Sequence, residues 1–267
     1  MTKMNLLLIG AGRMAEAILS GLVSSKDRAF QNITVTNQTD RAKLERLKKQ
    51  YGVEIAKDWS LEVANHEVIL LASPPNTQDQ LLRQLSERVT NQFIITVAAG
   101  IDPTYMEERL PVGIPVAWIM PNTGAQVRAS MSTYACGKYV EQRDRDVLLQ
   151  VLSSIGESEE LTEEKVHDLT AITGSAPAFL YAFAQALEEA ALSYDVRPDQ
   201  ARKLVTIMLK GSVGMLEAGG DPADLMAQVA SPGGSTAEGL ALLNERDFAS
   251  IVKSAIKVTN DHARGVN

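Results

Sequence analysis

The sequence lacks the residues that would stabilise a disulfide framework or ligate a metal. Cys136 is the only cysteine in 267 residues, so an intrachain disulfide is excluded. The three histidines, His66, His167 and His262, are widely separated and match no metal-ligand spacing. No run of about 18 apolar residues occurs, which argues against a transmembrane helix. The apolar run at the N-terminus is also too short for a signal sequence.

Positive charge is scarce as well. The 26 Lys and Arg are outnumbered by 33 Asp and Glu, which gives a net charge of -7 and no basic surface typical of nucleic-acid binding. Hydrophobic residues make up 45% and charged residues 22%, the ordinary mixture of a soluble globular protein. We therefore expect an acidic cytoplasmic protein that binds neither nucleic acid nor membrane.

What is present begins with a glycine loop, in "NLLLIGAGRMAEAILSGL". An apolar strand, Asn5–Ile9, precedes Gly10-x-Gly12-x-x-Ala15, and a helical pattern follows. The first glycine permits a tight turn, the second lets the backbone approach a diphosphate, and the small third residue lets helix and strand pack closely. This order predicts a dinucleotide-binding site; the alternative is a tight turn without a ligand.

Strand and helix patterns then alternate, as expected for a parallel sheet. One intervening helix is predicted at Thr39–Gln50 with Thr39 as its cap, and the strand pattern disappears from about Glu157. The predicted fold is α/β, with a Rossmann-type doubly wound sheet in residues 1–157 and an all-helical domain in residues 158–267. The further predicted strands are Ile33–Thr36, Val68–Ala72, Phe93–Val97, Val116–Ile119 and Met131–Cys136.

The helical half is rich in apolar and small residues. Helices are predicted at Thr173–Val196, Pro198–Gly219 and Asp221–Ala230. Such helices favour burial against a second subunit, and hence a homodimer or higher homo-oligomer; the alternative is that they pack only on one another.

Cofactor preference is indicated by the end of the second predicted strand. NAD-binding proteins usually have a carboxylate there for the ribose hydroxyls, whereas this sequence has Asn37, with Arg41 and Lys43 close behind. A carboxylate would repel a 2'-phosphate and a guanidinium would bind it. NADPH is therefore the predicted cofactor, with NADH as the alternative. The alternative for Arg41 is an ordinary surface residue of the helix.

Three segments follow predicted strand ends, where ligands bind in open α/β sheets: "LASPPN" at 71–76, "VAAGI" at 97–101 and "MPNTGA" at 120–125. A second glycine loop, "ASPGGSTAEGLALL" at 230–243, leads into a helix. Because backbone N–H groups at a helix start bind anions, this loop suits a substrate carboxylate. The alternative is an ordinary helix cap.

Together with "IGAGRMAEAI", "TGSAPAF" and "SPGGSTAEGLALLNE", these segments resemble the pyrroline-5-carboxylate reductase family in order and spacing, from Ile9 to Glu245. The resemblance implies a Rossmann domain, a helical dimerisation domain, and NADPH-dependent reduction of a cyclic imine to L-proline. The chain departs from the family at Pro74, Gly124 and Ala176, where Lys, Pro and Gly are common.

The resemblance also implies roles for individual residues. Gly234, Ser235 and Thr236 would bind the substrate. From the chemistry of imine reduction, we expect the Thr236 hydroxyl to hydrogen-bond the ring nitrogen, which makes Thr236 the candidate catalytic residue. Glu163, beside Glu164, is a candidate for the substrate amine, or both are solvated surface carboxylates. The cofactor would contact Gly10, Gly12, Arg13, Met14, Asn37, Ala72, Pro75, Ala98, Ala99 and Gly100.

Two other functions fit parts of the sequence. A 3-hydroxyacid dehydrogenase shares the two-domain plan, but it would need a lysine on the long helix, and residues 173–195 contain none. A nucleotide-binding regulatory protein without turnover is the non-enzymatic alternative. Reduction of C=N places less demand on a protein acid than reduction of C=O, which suits a sequence without a convincing catalytic His, Lys or Cys.

Overall fold

The computed structural model describes residues 4–25 and 30–264. The N-terminal half of the chain contains a β-sheet. Its strands are β1 (Met4–Ile9), β2 (Phe30–Thr36), β3 (Glu54–Ala56), β4 (Val68–Leu71), β5 (Phe93–Thr96), β6 (Val116–Met120), β7 (Ser130–Cys136) and β8 (Gly156–Glu160). Within the described ranges they form one eight-stranded sheet in the order β3-β2-β1-β4-β5-β6-β7-β8. All neighbours are parallel except β6 and β7.

The helices of the first half alternate with these strands, and those of the second half follow one another directly. The former are α1 (Arg13–Ser24), α2 (Arg41–Tyr51), α3 (Pro75–Ser86), α4 (Pro103–Glu107), α5 (Gln142–Ser153) and α6 (Glu163–Thr170). A π-helical turn, Ala171–Ser175, precedes α7 (Ala176–Leu192), α8 (Pro198–Glu217), α9 (Pro222–Val229), α10 (Ser235–Glu245) and α11 (Phe248–Ala263).

The central strands form because their sequences are continuous apolar runs. All four residues of β4 and of β5 are buried, the pattern of parallel strands covered on both faces. Leu6 and Leu8 of β1 belong to one core and Leu7 to the other, so the strand separates two hydrophobic layers. The order of β3 to β6 is that of a dinucleotide-binding sheet, which confirms the predicted fold class and puts its topological switch between β1 and β4.

Two local predictions are wrong. The strand pattern does not end before Glu157, because β8 pairs in parallel with β7. Its sequence, Gly-Glu-Ser-Glu-Glu, is polar and has no apolar alternation, which an edge strand tolerates. The cap of α2 is Asp40 rather than Thr39: its carboxylate accepts the Lys43 N–H at 2.8 Å, and Asp is the stronger capping residue.

The chain divides into two compact units. Residues 4–175 and 260–264 belong to the first, and residues 176–259 form the second, which is helical as predicted. The predicted boundary between residues 157 and 158 stays a prediction, although these units divide later in the chain. None of the helices in the described residues has the length and apolarity needed to cross a bilayer.

Candidate functional site

The first glycine loop joins the ends of three neighbouring strands. Gly10 has φ +115°, and an added Cβ would lie 2.6 Å from the Ala72 carbonyl carbon and oxygen. Its N–H donates to the Thr36 carbonyl at 2.9 Å, and the Ala72 N–H donates to the Ile9 carbonyl at 2.8 Å. The chain can make this turn only without a side chain at position 10.

The second glycine of this loop is accessible. Gly12 is the N-cap of α1, and an added Cβ there would meet no atom within 4 Å. Gly12 and Arg13 are exposed, Met14 is half-buried, and Ala15 is fully packed beneath them. A 12-residue helix therefore begins at an open backbone position, an arrangement that fits the diphosphate of a dinucleotide.

The carboxylate of Glu16, in the first turn of α1, is paired with an arginine of the protein. Arg46 of α2 donates two hydrogen bonds of 2.7 Å to Glu16, one to each oxygen. These bonds hold the pKa of the Glu16 carboxyl below its ordinary value. The negative charge of Glu16 is thus offset next to the loop predicted to hold an anion.

The end of β2 has no acidic side chain in residues 37–39. The half-buried Asn37 accepts the Thr39 N–H at 3.5 Å, and Arg41 lies 3.9 Å from Glu45 with both side chains largely exposed. Asp40, the nearest carboxylate along the chain, is engaged as the cap of α2. This geometry is compatible with a 2'-phosphate.

The predicted nicotinamide contacts lie in a tight turn after β5. The Ile101 N–H donates to the Ala98 carbonyl at 3.3 Å, and Gly100 has φ +75°, the left-handed conformation that a type II turn requires. Ala98 is buried, whereas Ala99 and Gly100 are exposed. The exposed Pro75 opens α3 after the neighbouring strand, and Ala72 is half-buried there.

The second glycine loop leads directly into α10. Gly233 has φ +72°, and Gly234, with φ -87°, is the N-cap. Among the described residues, no hydrogen bond engages the hydroxyl or the backbone N–H of Ser235 or Thr236. Neither hydroxyl caps the helix, so the ordinary-cap alternative has no support in this geometry.

Glu163 has partners in the first unit. Its two oxygens accept the Thr104 N–H at 2.9 Å and the Thr104 hydroxyl at 2.8 Å, which joins α6 to the start of α4. These bonds do not test contact with substrate, so that role stays a prediction.

Asn122 was not identified as a functional candidate from the sequence, although its motif was. It accepts the Gly124 N–H at 2.8 Å and donates to the Thr173 carbonyl at 2.9 Å, so it joins the "MPNTGA" and "TGSAP" segments. A Cβ on Gly124 would lie 2.4 Å from the Ala129 carbonyl oxygen, which explains the glycine there.

The described residues contain neither a reactive thiol nor a cluster of metal ligands. Burial and the neighbouring Glu160 raise the pKa of the Cys136 thiol to about 12, so it is protonated at neutral pH and a poor nucleophile. The described part of the chain holds no group of three His, Cys, Asp or Glu side chains arranged for a metal.

Comparison with known proteins covers both halves of the chain. Residues 163–266 match the family model "Pyrroline-5-carboxylate reductase dimerisation", and residues 5–100 match "NADP oxidoreductase coenzyme F420-dependent". The chain is 33% identical over 251 residues to pyrroline-5-carboxylate reductase 1 of Bacillus subtilis (93% of this chain, 84% of the relative). It is 32% identical over 261 residues to pyrroline-5-carboxylate reductase of Corynebacterium melassecola (96% of each).

Solved structures extend the similarity to three dimensions. The 1-pyrroline-5-carboxylate reductase of Streptococcus pyogenes superposes with a TM-score of 0.89 at 26% identity, covering 98% of this chain and 99% of that one. The similarity therefore spans the sheet and the helical half alike.

Proposed function

The chain belongs to the pyrroline-5-carboxylate reductase family, and we propose that it reduces 1-pyrroline-5-carboxylate to L-proline with NADPH, the last step of proline synthesis. The observation that carries this proposal is the identity of 32–33% with pyrroline-5-carboxylate reductases along 93% or more of the chain. The lysine that a 3-hydroxyacid dehydrogenase needs is missing from α7, as the sequence has none in residues 173–195.

The first unit binds the cofactor. Gly10 allows the tight turn against Ala72, Gly12 leaves the start of α1 open to the diphosphate, and the uncharged Asn37 admits a 2'-phosphate. The exposed turn at Ala99 and Gly100 supplies a small-residue surface for the nicotinamide ring. NADPH, when bound, supplies the hydride.

The second glycine loop binds the substrate. The N–H groups of Ser235 and Thr236, which have no partner among the described residues, are placed at a helix start, where an anion such as the substrate carboxylate is favoured, whereas the Gly234 N–H donates to the Ser231 carbonyl at 2.9 Å. The Thr236 hydroxyl orients the imine through its ring nitrogen, and protonation of that nitrogen makes the imine carbon electrophilic toward the hydride. The residues of this chain therefore act chiefly by orientation and by holding charge, with no covalent step on a side chain.

The protein acts in the cytoplasm as a homodimer assembled through its second unit. Large apolar side chains are exposed along α8, including Leu204 and Ile207, each 60% exposed. A cleft of about 690 Å³ between α7 and α8 is lined by apolar groups such as Leu180 and Leu209 and by charged groups such as Glu188 and Arg202. Burial of such a surface against a second copy removes it from water.

The function is tested by following NADPH absorbance with pyrroline-5-carboxylate and identifying the product by chromatography. We expect substrate-dependent NADPH oxidation and stoichiometric L-proline. Nucleotide binding without any proline would leave the regulatory alternative and refute the enzymatic one.

A further inference from the structure

The turn after β5 is held by two hydrogen bonds in addition to the one that closes it. The Ala98 N–H donates to the Thr96 hydroxyl at 3.2 Å, and the Ala98 carbonyl accepts the Ile101 N–H at 3.3 Å. That same carbonyl also accepts the indole N–H of Trp118 at 2.9 Å. The third bond comes from the adjacent strand, β6, and fixes the position of the turn relative to the sheet.

Trp118 is in turn held by His167 of α6. The indole is fully buried, and its ring centroid lies 4.6 Å from that of the imidazole at an angle of 48°. His167 Nε2 is 2.9 Å from Asp102 Oδ2, and because a carboxylate accepts, the ring N–H donates. The other oxygen of Asp102 accepts the Tyr105 N–H at 2.8 Å and caps α4.

The two contacts hold both ends of one segment. Trp118 holds Ala98, His167 holds Asp102, and the two rings contact each other. Ala99 and Gly100 project between these fixed ends and are exposed. No feature of the glycine loops requires this aromatic pair, and neither residue belongs to a dinucleotide motif.

We propose that Trp118 and His167 are positioning residues for imine reduction, which fix the position of the Ala98–Asp102 segment that would contact the nicotinamide. This inference rests on the proposed function, in which Ala99 and Gly100 contact that ring. Hydride transfer depends steeply on the distance between donor and acceptor carbons, and a displacement of about 1 Å costs on the order of 100-fold in rate. A support that locates the turn therefore acts on the chemical step more than on cofactor affinity, to which the diphosphate loop also contributes.

The experiment compares single-turnover oxidation of NADPH by the full-length protein and its variants at saturating imine. Trp118→Phe removes the indole N–H, and His167→Leu removes the bond to Asp102. His167→Gln restores a donor at that position. Trp59→Phe is the matched control, since Trp59 is a buried tryptophan that packs near Val63 and Arg88 instead. NADPH dissociation constants and melting temperatures are measured on the same samples.

We expect Trp118→Phe and His167→Leu to slow the single-turnover step about tenfold while NADPH affinity stays within about twofold. His167→Gln should recover most of the rate, and Trp59→Phe should retain it while losing stability. A merely structural role would lower the melting temperatures but leave the rate of the folded protein unchanged. If Trp118→Phe does not fold, His167→Leu and His167→Gln decide the matter.

The two possible failures are distinguishable. If the unmodified protein turns over and both Trp118→Phe and His167→Leu match its single-turnover rate, the positioning role alone is wrong. Equal rates for His167→Leu and His167→Gln, both slow, would overturn the role of the bond to Asp102. If the unmodified protein itself does not reduce the imine, the proposed function fails and the positioning role falls with it.

Discussion

Gly10 and Ala72 approach so closely that a Cβ on Gly10 would lie 2.6 Å from the Ala72 carbonyl carbon and oxygen. The two residues follow β1 and β4, the strands on either side of the topological switch. The carbonyl is backbone, so it cannot rotate away as a side chain would. The close approach thus links the shape of the diphosphate loop to the path of the neighbouring strand.

Gly10→Ala should therefore abolish NADPH binding and destabilise the fold. The change adds left-handed strain to a backbone overlap, and together these cost about 3 kcal/mol or more. Gly52→Ala is the matched control, because Gly52 has φ +68° but open space around its Cβ position. It should cost about 1–2 kcal/mol and leave NADPH affinity unchanged. Urea unfolding and NADPH titration measure both effects, and equal losses in the two variants would contradict the steric argument.

Asn37→Asp should reverse the cofactor preference. A carboxylate at this position repels the 2'-phosphate of NADPH and accepts hydrogen bonds from the ribose hydroxyls of NADH. The ratio of kcat/KM for NADPH over NADH should exceed 1 in the unmodified protein and fall by about 100-fold in the variant, as for removal of a charge-assisted contact. Asn91→Asp, the same charge change in the segment before β5, should leave the ratio unaltered. Equal efficiencies with both cofactors in the unmodified protein would refute the assignment.

Thr236→Ala and Thr162→Ala separate a substrate-binding hydroxyl from a capping one. Thr162 caps α6 by accepting the Lys165 N–H at 3.4 Å, whereas Thr236 caps nothing in the described structure. Thr162→Ala should lose about 1 kcal/mol of stability with kcat/KM intact. Thr236→Ala should keep its melting temperature and NADPH affinity but lose about 100-fold in kcat/KM for the imine. The opposite pattern, with Thr236→Ala unstable and fully active, would return Thr236 to a structural role.

The assembly is tested on the full chain with one charge. Ile207→Glu places a carboxylate on the apolar surface of α8, where burial against a second copy would desolvate it. We expect a dimer by light scattering for the unmodified protein and a monomer for this variant at micromolar concentration. Val112→Glu, at a residue of the first unit that is 88% exposed, should remain dimeric. A monomeric unmodified protein would disprove the dimer.

The sequence predicted those parts of the fold whose cause is local. Continuous apolar runs produced β1 and β4, and the spacing Gly10-x-Gly12-x-x-Ala15 has the turn and helix start that glycine allows. β8 could not be predicted because its residues are polar and its only reason to be extended is pairing with β7. The cap of α2 was misplaced by one residue because Thr39 and Asp40 are both capping types, and only the backbone path decides between them.

The candidate sites likewise contain parts that a local sequence pattern predicts and parts that depend on contacts between distant residues. The two glycine loops were visible because loop and helix start are contiguous in the chain. The contact between Trp118 and His167 was not, since it joins β6 to α6 and no local pattern marks either partner. Asn122 lies in a recognised motif, yet its bond to the Thr173 carbonyl spans 51 residues and depends on the assembled sheet. Pairings across the chain are what a single sequence leaves unspecified.

The division of the chain into two units determines which contacts can form late in synthesis. The second unit, residues 176–259, is inserted into the first, which is completed only by residues 260–264. Asn260 donates to the Asp168 carbonyl at 2.6 Å and accepts the Ala171 N–H at 3.1 Å. On the ribosome these bonds cannot form until α11 has emerged, by which time the whole helical unit has been made. The contact that joins α11 to the end of α6 therefore forms only after the helical unit has been synthesised.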